Sequence, residues 1–167
     1  MNKSIFNIRN LVIAASVFAV SQTHAATENV NAEVTFVSPV SIVENNPLQF
    51  GLLDAGLANA ETVVIATDDS VTDAASNVLG GAQAAADLTV AATAGQSINI
   101  SISSIVNGTG YALGSFTCNY DGNGSGACGA ETSVASATLE IGATLTGDGN
   151  AVAGAANGSF DVVIDYQ

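Results

Sequence analysis

Asp121-Gly122-Asn123-Gly124-Ser125-Gly126 sets oxygen-bearing side chains at positions 1, 3 and 5 of a loop and glycine at position 6. That is the first half of a calcium-binding loop of EF-hand type. The second half departs from it: position 12 is Thr132, and the acid, Glu131, comes one residue early. Asp121, Asn123 and Ser125 therefore make a partial calcium set, and a glycine-rich hairpin loop is the preferred reading. No other cofactor is expected. Asp68-Asp69 reads as a solvated turn.

Other chemistry lacks its parts. Serine and threonine are plentiful, but the bases that activate them are absent: Lys3, Arg9 and His24 are the only basic side chains of the 167 residues. Carboxylates alone could build a glycosidase-like pair. Sugar sites, however, use aromatic platforms, and only four Phe and three Tyr lie beyond residue 25, mostly at core-like positions. The expectation is a protein that is not an enzyme. Without Lys or Arg it has nothing to displace phosphate counterions, so no nucleic acid is expected, and anionic lipid surfaces are disfavoured.

All three basic residues fall inside what reads as an export signal. Lys3 and Arg9 form a positive start, residues 11–20 an apolar run too short to span a bilayer, and Thr23-His24-Ala25 a cleavage site. Residues 1–25 are thus expected to be removed. The formal charge of −13 then becomes −15 when Lys3 and Arg9 leave. Residues 26–167 form one domain, exported, with no membrane insertion. In an exported chain Cys118 and Cys128, ten positions apart, are expected to form a disulfide.

The elements that must carry any site read as strands. Ser97–Ser103 alternates strictly, with Ile98, Ile100 and Ile102 on one face. Asn29–Phe36 alternates too, with Val30, Ala32, Val34 and Phe36 opposite Asn31, Glu33 and Thr35. Further strands are expected at 48–51, 62–66, 88–92, 115–120, 137–145 and 159–166. The last carries Phe160, Val162, Ile164 and Tyr166 on one face. Asn107-Gly108, Asn123-Gly124, Gly149-Asn150 and Asn157-Gly158 read as hairpin turns between them. Alanine-rich 73–87, split by Gly80-Gly81, reads as a loop with a helical turn. The sum is an all-β sandwich. Residues 26–38 read either as its first strand or as a donor strand that completes a neighbouring molecule.

Three motifs carry a resemblance. They are Leu48-Gln49-Phe50-Gly51, Gly142-Ala143-Thr144-Leu145, and Ala153-Gly154 followed by Gly158-Ser159-Phe160-Asp161-Val162-Val163-Ile164-Asp165-Tyr166. With them the chain resembles a family of short exported bacterial proteins with an uncharacterised immunoglobulin-like domain. It is also similar to chaperone–usher fimbrial subunits, the pilins. Those have an alternating N-terminal extension, a penultimate tyrosine (here Tyr166) and a glycine fourteen from the end (here Gly154). The cysteines depart from the pilin pattern, in which the pair lies nearer the N-terminus and further apart.

The resemblance implies an immunoglobulin-like β-sandwich that is incomplete and completed by a donor strand. It implies a structural subunit of a fimbria or pilus-like surface fibre, serving adhesion or biofilm formation. Its partners would be other copies of itself or related subunits, a periplasmic chaperone and an outer-membrane usher. It would pass through the periplasm to the cell surface or an extracellular fibre. Val30, Ala32, Val34 and Phe36 would be the donors. Gly154, Phe160, Val162, Ile164 and Tyr166 would flank the groove. The alternative is a self-contained secreted binding module for calcium, a glycan or a matrix component.

Overall fold

A computed structural model describes residues 27–167; the expected export signal, residues 1–25, lies outside them. The chain divides into two compact units, Met1–Thr35 and Phe36–Gln167. The described part of the first, residues 27–35, carries no strand.

The second unit is all-β, and among the described residues there is no helix. Its strands are β1 Ser41–Asn46, β2 Leu52–Leu53, β3 Thr62–Ile65, β4 Val71–Asp73, β5 Val78–Gly80 and β6 Ala86–Ala91. They continue as β7 Ser97–Val106, β8 Tyr111–Tyr120, β9 Gly126–Ala127, β10 Ala130–Thr132, β11 Ser136–Gly147 and β12 Ser159–Tyr166. All pairings are antiparallel.

Strand β11 is the spine of the larger sheet. One edge pairs with β8. The other pairs first with β6, over Ser136–Ile141, and then with β3, over Ala143–Thr146. The exchange of partners falls at Gly142. A Cβ there would lie 2.4 Å from the carbonyl oxygen of Ile65 and 2.8 Å from Thr117 Oγ1, so only glycine lets the three backbones converge. Beyond β6 lies β1, beyond β3 lies β4, and beyond β8 lies β9. A second sheet has the order β10-β7-β12, and β2 with β5 makes a small ribbon.

The core lies where β6, β8 and β11 meet β7 and β12. Val90, Leu139, Ile141 and Ile98 are fully buried, and Ile100 and Tyr120 nearly so. The alternation in β7 thus does what its period requires: Ile98 and Ile100 face inward with Ile102 beside them. Val63 and Ile65 of β3 are equally buried.

Four expectations need correction. Asn29–Phe36 has the strand pattern but is not a strand, because no neighbouring strand takes up its backbone hydrogen bonds. Only one of the four Asn/Gly turn dipeptides, Asn123-Gly124, sits in a hairpin, that of β8 and β9. The others lie on the β7–β8 and β11–β12 connections, which cross from one sheet to the other, so no tight turn is called for. Residues 73–87 hold β5 instead of a helical turn; Gly80 and Gly81, at φ 145° and 83°, end it. The motif at 48–51 contributes a single bridge, Gln49 to Ala84, and the ladder starts one residue later at Leu52.

Candidate functional site: a groove between two unpaired edges

Strands β1 and β12 each end a sheet, and each pairs along one edge only. Between them, on the side where the two sheets fail to close, lies a groove of about 1510 Å³. Ile42 and Glu44 of β1 line one wall, and Phe160 and Val162 of β12 the other. Leu88 and Leu145 line it from the larger sheet.

Burial along β12 reports the opening. Its inward face is Phe160, Val162, Ile164 and Tyr166; Ile164 is buried, while Phe160 and Val162 are only half-buried. Ile42 and Leu48 across the seam are likewise half-buried although they abut the core. Phe160 rests on Phe116, with ring centroids 4.8 Å apart at a 55° tilt, within the usual range for aromatic pairs. The far end is built of small residues, 151–158, and includes Gly154. Gly154 takes φ 135°, a backbone conformation that favours glycine, with nothing within 4 Å of where a Cβ would stand. Tyr111 also lines the groove; burial pushes its phenol above the ordinary value, against a smaller opposing effect of the Gly158 backbone.

The four alternating residues near the N-terminus are available. Val30, Val34 and Phe36 are 81%, 73% and 87% exposed, and Ala32 is exposed as well. Tyr166 has a role that the sequence did not reveal. Its hydroxyl accepts a hydrogen bond from Thr93 N at 2.7 Å and donates to Ser38 O at 2.8 Å. Ser38 N in turn donates to Thr93 Oγ1 at 2.7 Å. The β1 wall was missed too, and of the 151–158 end only Gly154 had been named as a groove residue. A single inward isoleucine in Ser41-Ile42-Val43-Glu44-Asn45-Asn46 is too thin a pattern to announce a strand.

The partial calcium set stands in the loop between β8 and β9. Asp121, Asn123 and Ser125 are exposed. Asp121 takes φ 52°, and its backbone N donates to Thr138 O. The Asn123 amide donates to Glu131 at 3.4 Å, and Asn119 Oδ1 accepts from Gly124 N. Among the described residues no three His, Cys, Asp or Glu side chains come together as metal ligands. Asp68 accepts hydrogen bonds within its own turn, and Asp69 accepts one from a residue just ahead of β6. Ser70 donates to Asp68 through its hydroxyl and its backbone, which lowers the Asp68 carboxyl below its usual range, and Asp69 accepts from Ala85 N.

Cys118 and Cys128 form a disulfide, with Cα atoms 4.9 Å apart. It ties the end of β9 to β8 beside the core. Replacing both cysteines with alanine is expected to cost on the order of 3 kcal/mol in the chain-entropy account. That is a fall of about 10 °C in Tm for a domain of this size. Thermal melts of the double variant check it, and an unchanged Tm would refute it.

These features define an antiparallel β-sandwich with one open seam. The chain belongs to the family described as a domain of unknown function (DUF4402), which it matches over residues 40–166. That span runs from just before β1 to the end of β12 and leaves out residues 27–39. No curated protein and no solved structure matches the chain.

Proposed function

We propose that this protein is a structural subunit of a fimbria or pilus-like surface fibre, assembled by strand exchange. Residues 29–36 of one copy enter the seam between β1 and β12 of the next. The fibre serves adhesion or biofilm formation. An exported chain that passes through the periplasm, guarded there by a chaperone and delivered to an usher, fits the signal-like N-terminus and the disulfide.

One observation carries the reading: the sandwich is open along a groove flanked by two unpaired strand edges, while an alternating apolar segment of the same chain is unpaired and exposed. Unpaired edges next to half-buried apolar side chains are a liability in a soluble domain. An added strand answers both needs, since its backbone bonds to the free edge of β12 and its alternate side chains fill the seam. Burial of Val30, Val34 and Phe36 then stabilises the joint by about 1.5–3 kcal/mol each.

The test is a chain without residues 27–37. It should fold to a monomer that no longer assembles and should bind a synthetic peptide of those residues. If the shortened chain cannot fold even with the peptide present, the segment is a necessary part of its own domain. The self-contained binding module is then the better account.

A further inference from the structure

The short distance from residues 29–36 to β1 creates a difficulty for exchange between copies. The intervening residues, 37–40, are few enough for a hairpin loop. A tethered segment competes at an effective concentration of millimolar order for short linkers, far above that of a second copy in solution. Left free, residues 29–36 would fold back beside β1 and fill their own groove.

The hydrogen bonds at Ser38 oppose that movement. Both backbone groups of Ser38 are held, N–H by Thr93 Oγ1 and C=O by the Tyr166 hydroxyl, while Tyr166 itself is fixed by Thr93 N. Three separate parts of the chain are joined there: the segment before β1, the turn between β6 and β7, and the end of β12. Pro39 follows, and the residue before a proline is kept out of the helical turn region. Ser41 pairs with Ala91, so Ser38 continues the line of β1 to Thr93, past the end of β6. The groove lies the other way, along Ile42 and Glu44 and the first half of β12, Ser159–Val163. Self-insertion therefore requires Ser38 to give up both hydrogen bonds and turn back.

We propose that Ser38, Thr93 and Tyr166 form a clasp that prevents the chain from filling its own groove, reserving residues 29–36 for a second copy. This rests on the strand-exchange reading above. Tyr166 is thus a positioning residue, and its hydroxyl is the part that matters.

The test uses the monomeric fraction of the full chain and a fluorescent peptide of residues 27–37 as the probe of an open groove. The unaltered chain binds the peptide. Tyr166→Phe and Thr93→Val, which keep shape and remove a partner of Ser38, should each weaken peptide binding at least tenfold and raise Tm, because the groove is now filled from within. Adding Val34→Asp to either variant should restore peptide binding, since the chain's own segment no longer fits.

Peptide binding equal to that of the unaltered chain would overturn the clasp. So would weaker binding with a lower Tm that Val34→Asp does not rescue, which is what a merely structural contact would give. Failure of the unaltered chain to bind the peptide would instead overturn the strand-exchange reading, and the clasp with it.

Discussion

Val34→Asp is expected to reduce fibre assembly at least a hundredfold while leaving the monomer as stable as before. Val34 is 73% exposed and belongs to no strand, so a carboxylate there disturbs nothing in the isolated chain. In the joint the same side chain would face Phe160, Val162 and Leu88, where an unpaired charge costs several kcal/mol. Glu33 alternates with Val34 and would point away from the seam, so Glu33→Gln should assemble normally. The variant also retains its own open groove. Mixed with unaltered protein it should accept one donor, offer none, and shorten the fibres in proportion to its share. Sedimentation and filament length distributions measure both effects. Normal assembly by Val34→Asp would remove the segment from the mechanism.

How much of this was legible in the residues differs from element to element. β7 and β12 were clear because each alternates over seven or more residues with one face against the core. β11 was readable as a strand, but its exchange of neighbours at Gly142 was not, because close approach of three backbones leaves only a glycine in the sequence. The short edge strands β1, β4, β9 and β10 were missed because two to six residues with one face in solvent show no period. The Asn/Gly turns misled for a related reason. A dipeptide declares a permitted turn, whereas the partner of each flanking strand is decided by long-range packing. The groove was only half visible: the β12 side followed from periodicity, and the wall built by Ile42 and Leu48 came only with the topology. The Ser38–Thr93–Tyr166 clasp joins residues up to 128 positions apart and had no local signal.

Charge leads to the second large effect. The described residues carry fifteen carboxylates and no Lys, Arg or His, so any two copies approach as bodies of one sign. Residues 27–37 bring only two of those charges, Glu28 and Glu33, and the groove lining adds three, Glu44, Asp54 and Asp161, so ten of the fifteen lie outside the joint. Repulsion should therefore fall mainly on the encounter and much less on the completed joint, since long-range charge acts chiefly on association rates. Screening shortens from about 30 Å at 10 mM salt to a few ångströms near 1 M. Assembly of purified chain is expected to speed up at least tenfold between 10 mM and 500 mM NaCl, with little change in how fast finished fibres come apart. Free peptide 27–37, carrying two charges instead of fifteen, should gain much less. A module that held calcium or another cation by its carboxylates predicts the reverse, because salt would weaken it. Light scattering across a salt series separates the two, and a rate that stays flat or falls would count against assembly between like-charged copies. The lack of a counter-charge bears on the joint as well: residues 27–167 hold no basic side chain to pair with, so on the strand-exchange reading burial and backbone hydrogen bonds are the attractions left to hold one copy to the next.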